Sequence, residues 1–302
     1  MGDTVLRDVT LVDGSRADVR LAGSLTAAVS VAGDEPAQPG DEVVELSGHL
    51  LLPAAVEPHA HLDKAFLADV VTNDTGDLLG AIEAMTAARS WLRVPETLER
   101  AERAARLLAV NGVGAVRTHA DTTTDHGLTS IEALVQLRDR VADVIDVQVV
   151  ALAGWPVVGA AGAEQRALLA AALDAGADLV GGCPHLEDGG DTWGATEVLL
   201  TIAADRAVGV DLHTDEVLDA SVGGLLDLAR LVVGLPFPHQ VTASHCVSLG
   251  LLPSARQREV ADAVAAAGIS VIALPATNLG LLGREHQERM PRAVTAVKAL
   301  RD

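Results

Sequence analysis

The period of the apolar residues changes once along the chain. Up to residue 50 they fall in short alternating segments, Val5-Leu6, Val9-Thr10-Leu11-Val12, Val19-Arg20-Leu21, Ala27-Ala28-Val29-Ser30-Val31 and Val43-Val44-Glu45-Leu46, broken by Gly, Asp and Pro. This pattern predicts small antiparallel strands, a β-sandwich segment over 1–50. From there on, short apolar runs alternate with Ala/Leu/Arg-rich stretches of helical period, the βαβα rhythm of a parallel sheet or barrel over 51–302. Seven strands are predicted: Leu51 to Glu57, Gly114 to Thr118, Val144 to Ala153, Leu179 to Cys183, Val208 to His213, Gln240 to His245 and Ser270 to Pro275. The clearest helix runs from about Pro95 to Val110, with Pro in its first turn, Glu96 and Glu99 early, and Leu98, Ala101, Ala105 and Leu108 down one face. A second runs from about Gln165 to Ala175 and stops at Gly176.

Composition narrows the range of partners. With 302 residues and 49% hydrophobic content the chain can bury a large core. Its 22 Lys and Arg against 42 Asp and Glu give a formal charge of -20, which repels the phosphates that dominate nucleic-acid affinity and anionic membrane surfaces. Cys183 and Cys246 form no CxxC pair, so neither a disulfide framework nor a thiolate zinc site is expected. Met1 to Val9 mixes acidic and basic residues where a signal peptide needs an apolar core, and no apolar run reaches membrane-spanning length. The cytoplasm is the expected compartment.

The chemistry gathers at strand ends. The first barrel strand ends Val56-Glu57-Pro58-His59-Ala60-His61-Leu62-Asp63, and two histidines one residue apart on extended backbone point the same way. The fifth ends Asp211-Leu212-His213-Thr214-Asp215-Glu216 and the sixth Thr242-Ala243-Ser244-His245-Cys246. In a β/α barrel those C-terminal ends converge on one mouth, so His59, His61, His213 and His245 can meet around one divalent metal, with zinc and iron equally suited to imidazole. Such an ion brings the pKa of a water toward about 7. Glu216, three residues beyond His213, is placed to take that water's proton and pass it to a ring nitrogen.

These motifs, with Val116-Arg117-Thr118-His119-Ala120-Asp121 and the Asn278 to Arg284 loop, resemble the cytosine deaminase-like branch of the metal-dependent amidohydrolase superfamily over nearly the whole chain. The resemblance implies an α/β fold, a (β/α)8 TIM-type barrel with a small β-sandwich. It also implies one divalent metal and hydrolysis of a ring or exocyclic C–N bond in a small nitrogen heterocycle. By it His59, His61, His213 and His245 are metal ligands and Glu216 is the acid/base. His119 at the end of strand two, Trp155 after strand three, Asn278 and Arg284 are candidate substrate contacts. Gly154 aligns with a substrate-binding glutamine of the cytosine enzymes. For Trp155 the plain alternative is loop packing, as for Trp193; for Asn278 it is helix capping; for His119 it is ordering a ligand from behind. Asp63 and Lys64 are expected to pair with each other or a loop, and His126, His185, His239 and His286 to lie at the surface or behind the site.

The family pattern also has a metal-ligating aspartate at the end of an eighth strand, whereas the chain stops at Asp302 inside a helix. A barrel lacking its last β/α unit, from a truncated sequence, is the expectation. Three functions follow: a deaminase, an N-alkyl amidohydrolase releasing an alkylamine from a triazine or similar ring, or a catalytically dead metal- or ligand-binding barrel. Association into a homo-oligomer is left open.

Overall fold

The structure, a computed structural model, describes residues 2–284 and 292–302, and the chain divides into two compact units at Ala55. In the first unit, β1 (Thr4–Thr10), β2 (Arg16–Ala22), β3 (Leu25–Val31) and β4 (Glu42–Glu45) form a sheet in the order β3-β2-β1-β4. β1 pairs antiparallel with β2 and β2 with β3, while β4 lies parallel to β1 instead of continuing the expected antiparallel set. The reason is topological: β4 sits on the far edge from β3 but runs in the same sense, so residues 32–41 carry the chain back across the sheet. Val9, Ala17 and Val19 make its core.

The second unit carries β5 (Ala55–Ala60), β6 (Val113–Thr122), β7 (Asp146–Ala153), β8 (Leu179–Gly182), β9 (Gly209–Thr214), β10 (Val241–His245) and β11 (Ser270–Ile272). Among the described residues these seven strands form one sheet in sequential order, a nearly closed α/β barrel, and β6 through β11 pair in parallel. The helices are α1 (Leu78–Ala88), α2 (Val94–Val110), α3 (Thr129–Arg140), α4 (Ala163–Asp174) and α5 (Thr192–Asp205). They continue with α6 (Gly224–Gly234), α7 (Ser254–Ala266), α8 (Pro275–Leu281) and the short α9 (Val297–Arg301). α2 buries Leu98, Ala101, Ala104 and Ala105 on the apolar face read from the sequence. α4 ends before Gly176, whose φ of 112° suits glycine.

The core lies between strands and helices, where Leu169, Leu199, Leu200, Leu212, Leu225 and Leu228 are fully buried; each such side chain contributes about 1.5–3 kcal/mol. No helix among the described residues is long and apolar enough to cross a membrane.

Candidate metal centre

Period-two alternation aims one set of side chains from each strand at the barrel interior. On β6 that set is Arg117, His119 and Asp121; on β9 it is Asp211 and His213. His59 from β5, His61 just beyond it, His119, His213 and His245 from β10 form one cluster. Ring centroids are 4.1 Å apart for His59 and His119, 4.7 Å for His59 and His213, 4.9 Å for His213 and His245, and 5.2 Å for His61 and His213. The ligand atoms of His59, His119 and His213 lie within 4.8 Å of one another.

The cluster admits a divalent ion, but the three rings whose ligand atoms all gather together include His119 and leave out His61 and His245, two of the ligands expected from the sequence. His61 Nε2 and His213 Nε2 face each other at 3.2 Å. Two nitrogens bound to one tetrahedral ion at about 2.0–2.1 Å stand about 3.3 Å apart. His59 Nε2 and His245 Nε2 are buried without a hydrogen-bond partner among the described residues, as are both ring nitrogens of His119. Burial, reinforced by neighbouring cationic groups, pushes His59 down to about 2 and His61 and His213 well below the usual histidine range. These rings are therefore neutral at pH 7, the form that ligates metal.

Glu216 is buried beside them, its Oε1 3.1 Å from His245 Nδ1. Asn278 bridges the pair: its Nδ2 donates to Glu216 Oε1 at 3.3 Å and lies 2.9 Å from His245 Nδ1. Asn278 stands inside α8, whose N-cap position is Leu274, so it does not cap the helix. Asp215 is buried as well. It accepts from the Gly224 and Leu225 N–H groups at the start of α6, and burial raises its carboxyl to about 6. Left-handed backbone at the non-glycine residues Asp215, His245 and Cys246 concentrates strain at these strand ends.

A cavity of about 390 Å³ opens over the cluster. Its polar side comprises His59, His61, His213, His245 and Glu216 together with Lys64, Arg89 and Asp121. Its apolar side is built largely by α1, through Leu78, Ala81, Ile82 and Met85, faced by Leu152, Trp155, Leu186, Leu274 and Leu281. The charged trio forms a network of its own. Lys64 Nζ lies 2.7 Å from Asp121 Oδ1 and 3.1 Å from His61 Nδ1, and Arg89 Nη2 lies 2.9 Å from Asp121 Oδ2. Burial would raise Asp121, but Lys64 and Arg89 prevail and hold it at about 2. Asp63 does not pair with Lys64 but accepts the Asp121 N–H at 3.1 Å. Asp121 could have been found: it lies two residues beyond His119, on the same face of β6.

Trp155 is 41% exposed and lines the cavity, whereas Trp193 lies in the first turn of α5, away from it. Arg284 is exposed, donates to Gly280 O, and does not line the cavity. Gly154 faces Thr123 and Gln165; a Cβ there would meet their side chains at 3.0 and 3.1 Å, so the glycine contributes no room to the cavity. His126 is buried against Ser130, His185 is pushed down to about 4 by burial, and His239 packs on Phe237. His286 lies outside the described residues.

No family model matches. The chain is 30% identical over 279 residues to a pterin deaminase of Rhizobium rhizogenes, covering 92% of this chain and 62% of that protein. It is 26% identical over 224 residues to the N-isopropylammelide isopropyl amidohydrolase of Pseudomonas sp. strain ADP, covering 70% of this chain and 53% of that one. The chain thus spans less than two thirds of the length of either relative. Among solved structures, the 5-methylcytosine deaminase of Klebsiella pneumoniae with 5-fluorocytosine superposes with a TM-score of 0.88 at 29% identity, covering 99% of this chain and 72% of that one.

Proposed function

Because the chain belongs to the amidohydrolase superfamily, in its deaminase branch, we propose that it hydrolyses a C–N bond of a small nitrogen heterocycle and releases ammonia. The observation that carries this reading is the cluster of buried imidazoles sharing one cavity with the buried carboxylate of Glu216. His59, His61, His213 and His245 would hold the divalent metal, zinc or iron. When bound, the ion supplies Lewis acidity that brings the pKa of a water toward about 7.

The chain's own residues do the rest. Glu216 accepts a proton from the attacking water and returns it to the ring nitrogen beside the reacting carbon, which makes that carbon electrophilic. His245 and Asn278 fix the carboxylate for both transfers. Collapse of the tetrahedral adduct breaks the C–N bond: the adduct hydroxyl gives up its proton through Glu216 to the amino group, which leaves as ammonia, and a ring carbonyl remains. Trp155 offers an aromatic face to the ring. The free thiols Cys183 and Cys246 suit work in the reducing cytoplasm.

A second reading, release of an alkylamine, draws support from the apolar wall of α1. Leu78, Ile82 and Met85 can take an alkyl group or a second fused ring. Metal analysis of purified protein with and without His61→Ala, followed by assays on a pterin, a cytosine and an N-alkylaminotriazine, tests the proposal. Ammonia release supports the first reading and alkylamine release the second. Bound metal without turnover would leave a ligand-binding barrel, and no metal would overturn the hydrolase reading.

A further inference from the structure

We infer that Asp211 and Ser244 form a positioning relay that decides which nitrogen of His59 carries the ring proton, leaving Nε2 bare toward the interior of the histidine cluster. The functional consequence rests on the metal reading above; the relay itself rests on hydrogen bonds. Asp211 on β9 and Ser244 on β10 are both fully buried, and the strands are in register so that Asp211 lies opposite Thr242 and Ser244 opposite His213. Asp211 Oδ2 accepts from Arg117 Nη1 at 2.7 Å, and Arg117 is itself anchored to Gln148 Oε1 and Thr242 Oγ1. Asp211 Oδ1 accepts the Ser244 hydroxyl at 2.9 Å, and His119 Nε2 stands 3.4 Å from the same oxygen.

Proton counting then fixes the direction. A carboxylate paired with a guanidinium can only accept, so the single hydroxyl proton of Ser244 points to Asp211. The serine oxygen that meets His59 Nδ1 at 2.9 Å must therefore accept, which places the ring proton on Nδ1. His59 Nε2 is left as a lone pair, and it is the buried nitrogen that has no partner among the described residues. Reversing the chain would leave Asp211 Oδ1 with only the 3.4 Å approach of His119 Nε2 and turn His59 Nε2 into a buried donor aimed at other imidazoles. Asp211 thus acts on His59 through Ser244.

The test reads the tautomer directly. Protein labelled with nitrogen-15 histidine, stripped of metal by chelation, is examined by long-range proton–nitrogen correlation, with His59→Gln to assign the signal. The wild type should show His59 protonated at Nδ1. Ser244→Ala should shift that population toward the Nε2–H form and weaken Zn²⁺ binding, measured by chelator competition, about 10- to 100-fold. Asp211→Asn should move both readouts in the same direction, with circular dichroism and melting curves reporting the fold. An Nε2–H tautomer in the wild type overturns the relay even if neither variant folds. So does a Ser244→Ala protein whose tautomer and zinc affinity are unchanged. The expected tautomer in a wild type that binds no zinc would uphold the relay and overturn the metal reading alone.

Discussion

Removing one imidazole from the cluster should be felt first in metal content. In His61→Ala the Nε2 that faces His213 at 3.2 Å is gone, and elemental analysis should find the bound equivalent lost from a protein that still folds. Glu216→Gln should separate the roles: metal retained, kcat reduced by about 10²- to 10⁴-fold. Cys183 lines the cavity, but burial pushes its thiol far above the usual range. It should resist iodoacetamide at pH 8 in the native protein and react once unfolded, as peptide mass analysis would show. The clustering of His59, His61, His213 and His245 was legible because barrel strands deliver their C-terminal ends to one mouth. Lys64, Arg89 and Asp121 were not legible as a unit, since their ion pairs join residues 32 and 57 positions apart on a short 3-10 turn, a helix end and a strand. His119 was legible as a mouth residue, but sequence alone does not say that it stacks 4.1 Å from His59.

At the scale of elements, periodicity located the strands and left their ends loose. β6 continues to Thr122, beyond the predicted end at Thr118, because Ala120, Asp121 and Thr122 keep their pairing with β7. α1 buries only Ala88 and turns Leu78, Ile82 and Met85 toward the cavity. Its apolar face therefore carries a signal for ligand contact, which periodicity cannot distinguish from core. α5 shows the opposite case. Asp191 caps it by accepting from Gly194 N at 2.9 Å, and Asp191→Ala should lower unfolding free energy by about 0.5–2 kcal/mol in urea titration, with zinc binding untouched.

For the molecule as a whole, the sequential parallel order follows from the alternation of strand and helix, and the N-terminal sheet from its short alternating segments. The course of β4 was hidden because a loop crossing leaves no periodic trace. The placement of β5 has a mechanical consequence. Among the described residues it ends the barrel sheet, so β6 is its only strand neighbour, whereas β7 is flanked on both sides. The ties that hold the end of β5 across the interior are side chains: His59 to Ser244 of β10, and His61 to His213 of β9. Chelation should therefore speed amide hydrogen exchange over residues 55–60 well before β7 responds, and zinc should restore protection. An ion at this position would act as a clasp as well as serve the proposed chemistry, so its loss would announce itself as a loosened β5 before any other part of the barrel gives way.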